Sequence, residues 1–96
     1  MSIRADCQIG YKGGKNISAR IVKWVEIANK VEEYNIVIVN DSSPMTLEVA
    51  GKDQTNLEWQ LEQLRLFLHP IDKVRTMYVV ITEQKQGPWF DKDTNK

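Results

Sequence analysis

Between Thr55 and Leu68, apolar residues fall on two opposite sides of one helix. Leu57, Leu61, Leu64 and Leu68 lie in a narrow stripe at ~100° per residue, while Trp59 and Leu66 point the other way. A helix resting on one sheet needs a single apolar face. The second face therefore calls for its own cover: another subunit, a partner protein or a segment of the same chain. This helix limits the fold to one that buries its leucine stripe and accounts for Trp59.

The remaining elements follow from periodicity. Ala5, Cys7, Ile9 and Tyr11 alternate with polar residues, which predicts a half-buried strand. Gly13-Gly14 ends it, and Asn16 or Ser18 is the expected cap of the next helix. Ile17, Ile21, Trp24, Val25, Ala28 and Val31 keep helical spacing through about Tyr34, with Lys23, Glu26, Lys30 and Glu33 opposite. Ile36-Val37-Ile38-Val39 is a β-branched run that reads as a central strand. Asn40 to Pro44 is a turn, and Met45, Leu47 and Val49 alternate in a third strand, so the two strands form a hairpin. Thr55 with Glu58 has the form of a capping box for the second helix, which stops before Pro70. Met77 to Ile81 is the fourth strand.

The order is β-α-β-β-α-β. The expected fold class is α+β, a two-layer open-faced sandwich with a four-stranded antiparallel sheet and both helices on one face. HPr-like and ferredoxin-like arrangements share this element order, and periodicity does not choose between them. A single domain is expected over residues 1–83, with a polar C-terminal tail at 84–96, its last six residues mobile. A chain of 96 residues suits one domain and one modest core.

Charge and cysteine content narrow the function classes. The 13 basic and 13 acidic side chains cancel, which argues against a general nucleic-acid or anionic-membrane binder. One cysteine, Cys7, allows no internal disulfide, so a reducing, cytoplasmic setting is the simpler reading. No signal-peptide pattern opens the chain, and no run approaches the ~18–20 apolar residues of a membrane span.

The segment Gly14-Lys15-Asn16-Ile17-Ser18-Ala19-Arg20 resembles the active-site segment of HPr, the phosphocarrier of the sugar phosphotransferase system. That family reads Gly-Leu-His-(Ala/Thr)-Arg-Pro-Ala. Ile17 stands for the leucine, Ala19 and Arg20 match, and the similarity extends over residues 5 to about 49. Ser18 stands where the family has its phosphorylated histidine, and Ile21 replaces the proline. A serine hydroxyl cannot form the labile phosphoimidazole of onward transfer. The resemblance therefore implies the fold and a docking surface, without the carrier chemistry.

Candidate sites follow. Lys12, Lys15 and Arg20 surround the start of the first helix beside Ser18, where free N–H groups and the helix dipole favour an anion. His69 is the single histidine, and no spacing in the chain suits a metal site, so neither metal nor cofactor is expected. Cys7 reads as a small buried hydrophobe. No carboxylate pair stands out for acid/base work, so catalysis is not the favoured class. The expected interface is Trp59, Leu66 and Glu62, with Trp89 and Phe90 either covering this face or joining it. Tryptophan is enriched among interface hot spots. The expected function is a non-catalytic protein-binding or regulatory module, acting on a protein partner or on itself as a homodimer. Alternatives are a phosphotransfer-related protein without the acceptor histidine, an accessory protein of a phage or mobile element, a ferredoxin-like nucleic-acid module using Tyr11 and Tyr78, and an enzyme whose site forms between subunits.

Overall fold

The structure, a computed structural model, describes residues 3–82 and 86–94. The order of elements is β1 (Ile3–Tyr11), α1 (Lys15–Ala28), β2 (Ile36–Asn40), β3 (Met45–Gly51), α2 (Gln54–Leu68), β4 (Val74–Ile81) and β5 (Gln86–Asp91). The strands form one antiparallel sheet in the order β2-β3-β1-β4-β5. The expected α+β class and both helices are present, but the sheet has five strands rather than four.

β1 lies in the middle, paired on one side with β3 and on the other with β4. Its alternation sends Ala5, Cys7 and Ile9 into the core and leaves Arg4, Asp6 and Gln8 on the open face of the sheet. Met45, Leu47 and Val49 of β3 and Met77, Val79 and Ile81 of β4 point the same way. The stripes Ile17-Ile21-Val25-Ala28 of α1 and Leu57-Leu61-Leu64-Leu68 of α2 close over them. One core between two layers results.

Four expectations need correction. Ile36–Asn40 is the edge strand, not a central one, and Val37 and Val39 are 53% and 63% exposed. Only Ile36 of that run is buried. A β-branched stretch suits an edge as well as a centre, since its backbone preference is the same in both. α1 ends at Ala28 rather than Tyr34, because Asn29 turns its side chain onto the main chain of Ile36. The caps also differ. Gly14 precedes α1 with φ +64 and no side-chain cap, so Asn16 and Ser18 lie inside the helix. A glycine adopts this left-handed backbone without the strain other residues meet. The cap of α2 is Asp53, whose Oδ1 accepts from the Asn56 N–H at 2.8 Å; Glu58 instead accepts from the Gln54 side chain at 2.7 Å.

The fourth correction concerns the tail. Residues 86–91 form β5 on the outer edge of β4, with Met77 opposite Phe90. A register shift between Met77 and Tyr78 falls opposite Trp89, so Trp89 and Phe90 both pack against the margin of the core. Residues 83–85, 95 and 96 of the expected boundary and tail lie outside the described residues.

The step from β3 to α2 is tight. A Cβ at Gly51 would sit 2.7 Å from the Leu57 main-chain nitrogen, so only glycine allows the helix to start so close to the strand. No helix among the described residues is long and apolar enough to cross a membrane.

Candidate functional site

The leucine stripe of α2 is fully buried, whereas Trp59 and Leu66 on its other side are 40% and 51% exposed. The two-faced reading of this helix therefore holds in the folded chain. The outer face does not stand alone. Trp59 leans on Tyr34 with ring centroids 4.9 Å apart. Tyr34 meets the edge of Trp24 at 5.7 Å, and Trp24 stacks on Phe67 at 5.1 Å with planes only 12° apart. Four rings thus form a continuous line from the start of α2, across the groove between the helices, to the end of α2. Exposed Ile27 and Val31 flank it on the α1 side.

Each ring has a local reason for its place. Trp24 falls near the core stripe of α1 but one step towards α2 (~20° from Ile17 at 100° per residue). Phe67 sits ~80° off the α2 leucine stripe on the side facing α1. Tyr34 lies beyond the end of α1, in the loop that leads to β2. That loop is held by amides. Asn29 donates to the Ile36 carbonyl at 2.7 Å and accepts from its N–H at 3.0 Å. Gln60, fully buried, accepts from the Asn35 N–H and donates to the Ala50 carbonyl and the Asn56 side chain, each at 2.8 Å. Asn56 in turn donates to the Glu33 carbonyl at 3.1 Å. Buried polar groups of this kind must be paired, and the bonds to Glu33, Asn35 and Ile36 orient residues 29–36. Burial also pushes the Tyr34 hydroxyl up from its ordinary range.

Beside the stacked Trp24 and Phe67 lies a trough of about 440 Å³ lined by Ala19, Arg20, Lys23, Trp24, Ile27 and Phe67. A second cavity shares Arg20 and Phe67 with it and continues past Pro70 to Lys73.

The other expected interface residues are distributed differently. Glu62 accepts from Arg65 through both carboxylate oxygens, at 2.8 and 2.6 Å, on the side of α2 turned away from Phe67. That pairing holds its carboxyl below the usual range. Trp89 and Phe90 are on β5, where Phe90 meets the edge of His69 at 5.1 Å. His69 lies ten positions beyond Trp59, ~15 Å along the helix axis. Phe90 therefore sits beyond the far end of α2 from Trp59 and does not cover it.

The expected anion cluster is only partly assembled. Lys15 and Ser18 line a cavity of about 450 Å³ with Tyr11, Gly14, Asp41, Ser42 and Ser43. Lys12 is not among its lining residues, and Arg20 belongs to the trough instead. Three of the cavity's hydroxyls are engaged with the chain itself. The Ser18 hydroxyl donates to the Asp41 carbonyl at 2.9 Å, the Tyr11 hydroxyl to the same oxygen at 3.3 Å, and the Ser43 hydroxyl to the Tyr11 carbonyl at 3.3 Å. Asp41, an acidic residue, lines the same cavity and sets a negative charge against the positive one of Lys15.

Other chemistry finds little footing. Cys7 is sealed at the centre of β1, and burial pushes its thiol up to about 12. Among the described residues no group of three His, Cys, Asp or Glu side chains could hold a metal ion. The open face of the sheet carries Asp6 opposite Glu48, with Arg4 3.7 Å from Glu48, around the exposed Tyr78. A single-strand nucleic-acid platform would need basic residues beside its aromatics.

Sequence reasoning found Trp59 and Leu66 but missed Trp24, Ile27 and Phe67 as surface residues. Ile27 and Phe67 both lie outside the core stripes of their helices, and that offset was the available signal. No family model matches the chain, and no curated protein or solved structure matches it either.

Proposed function

We propose that this protein is a non-catalytic recognition domain that binds another protein through the aromatic line between its two helices. The observation that carries this reading is the run Phe67-Trp24-Tyr34-Trp59, bordered by exposed Ile27, Val31 and Leu66. Contiguous apolar surface of this kind marks interaction sites, and tryptophan and tyrosine are frequent anchors in them. The strand order β2-β3-β1-β4 is that of the ferredoxin-like arrangement, so we read the build as ferredoxin-like with β5 added at one edge. The likeness to the phosphocarriers then rests on the Gly14–Arg20 segment alone. A phosphate-related role for Ser18 is the weaker reading, because its hydroxyl is already bonded to Asp41.

The test is a variant carrying Trp59→Ala and Leu66→Ser, compared with the unaltered chain by light scattering and by affinity capture from the native host. Loss of a specific partner, or a fall in molar mass, supports the reading. An unchanged monomer that keeps the same captured proteins defeats it.

A further inference from the structure

The trough at one end of the aromatic line has a chemical bias that its neighbours lack. Its apolar lining is Ala19, Trp24, Ile27 and Phe67, and its two charged lining residues, Arg20 and Lys23, are both basic. Neither is in an ion pair among the described residues. On the far side of α2, by contrast, Arg65 is matched by Glu62. The adjoining cavity adds Lys73, and its one acid, Asp72, lies 3.9 Å from Arg75. An apolar lining bordered by unmatched cations favours an occupant with apolar anchors and carboxylates beside them.

We infer that this trough receives an acidic amphipathic helix of a partner protein. The inference rests on the recognition reading above and specifies its ligand. Two helices with an apolar groove between them offer the seat into which a third amphipathic helix lays its apolar face. Leu, Ile or Phe anchors of the partner would fill the space over Trp24, Ile27 and Phe67. Its Asp or Glu side chains would reach Arg20 and Lys23.

Two other occupants fit less well. A second copy docked about a twofold axis through the trough would bring the Arg20 and Lys23 of each copy near those of the other, like charge against like charge. An anionic membrane calls for a cluster of roughly 4–8 basic residues. Here the trough and the cavity beside it are lined by three, Arg20, Lys23 and Lys73, with the acid Asp72 among them.

The experiment selects ligands rather than presuming one. The full chain is immobilised and presented with a displayed library of random peptides roughly 15 residues long, about four helical turns. The expected result is enrichment of sequences with apolar anchors three or four positions apart and Asp or Glu between them. Synthetic copies should lose about tenfold in affinity or more against Arg20→Glu with Lys23→Glu, and should weaken as salt rises to roughly 0.5 M. Both substituted side chains are exposed, and circular dichroism checks that the variant stays folded. Enriched peptides without acidic bias, unchanged affinity in the charge-reversed variant, or no enrichment at all would overturn the inference. If peptides without acidic bias are lost in Trp59→Ala with Leu66→Ser, the recognition reading survives and only the acidic ligand falls. Peptides indifferent to both variants remove both readings. Sedimentation with phosphatidylserine vesicles, or a dimer that dissociates on Ile27→Glu, also overturns the inference in favour of a membrane or a second copy.

Discussion

The amide seam and the aromatic line lie side by side and treat surface in opposite ways. In the seam, the side chains of Asn29, Asn56 and Gln60 bond to the main chain at Ile36, Glu33, Asn35 and Ala50, and Gln60 donates to Asn56. In the line, apolar rings touch each other along one side and meet solvent on the other. The seam is a closed system of polar bonds whose product is a fixed path for residues 29–36. The line is an open surface whose product is reach. Because Tyr34 belongs to the segment the seam holds, the closed region positions part of the open one. Rigidity and accessibility are thus assigned to different side chains, and the two can be altered separately.

The largest effect should come from the seam. Gln60→Leu takes a fully buried amide away from the Asn35 N–H, the Ala50 carbonyl and the Asn56 side chain, three bonds whose loss together costs roughly 2–5 kcal/mol. Chemical denaturation would read this as an earlier midpoint. Cys7 then reports whether the damage is global. Burial pushes the thiol up to about 12, so the folded chain keeps it neutral where an unfolded one ionises. Stability is therefore fully present below the thiol's ordinary range near ~8.5 and is lost as pH rises from there towards the folded value. Cys7→Ala should lose less stability than the parent over that window. In Gln60→Leu at fixed pH, thiol labelling should accelerate in step with the unfolded fraction.

A smaller loss is expected at the exposed end of the seam. Asn29→Ala removes the partner of the Ile36 N–H and carbonyl, but Asn29 is itself exposed and water can take the place of its amide, so about 1 kcal/mol is expected. The sharper readout is hydrogen exchange at Ile36, which should rise. Trp59→Ala removes one ring contact of a half-exposed residue and should cost about 0.5–1.5 kcal/mol while abolishing partner binding. A stability loss as large as that of Gln60→Leu would mean that the line is structural and would collapse the distinction between the regions. Smallest of all is Ser18→Ala, which deletes one exposed hydrogen bond and should change stability by no more than ~0.5–1 kcal/mol. Intact-mass measurement after incubation with phosphotransferase enzymes adds a check, with no phosphate expected on Ser18.

The sequence was most legible where one periodicity served one purpose. The alternation of β1 and β3 and the leucine stripe of α2 are read directly in the folded chain, since each residue either faces the core or does not. The edge position of β2 was hidden because a run of Ile and Val encodes a backbone preference, not the number of neighbours. β5 was hidden because Gly87-Pro88 breaks the pattern and the bulge lets adjacent Trp89 and Phe90 pack together. Val31 and Tyr34 keep helical spacing although α1 has ended, because the loop returns Tyr34 to the same groove. Of the surface residues, Trp59 and Leu66 stood out by opposing a clean stripe. Trp24 did not, since a ring just off the core face of α1 looks from sequence like one inside it. The separation of Arg20 from Lys15 is likewise invisible in a linear cluster, although ~140° of helical turn divides the two.

The placement of the three tryptophans has an optical consequence. Two indoles, Trp24 and Trp59, belong to the aromatic line, and the third, Trp89, is on β5. Docking on the helices should shift the emission of the first pair towards the blue while the third stays constant. Occupancy of this surface can thus be followed by intrinsic fluorescence, with an internal standard and no added dye.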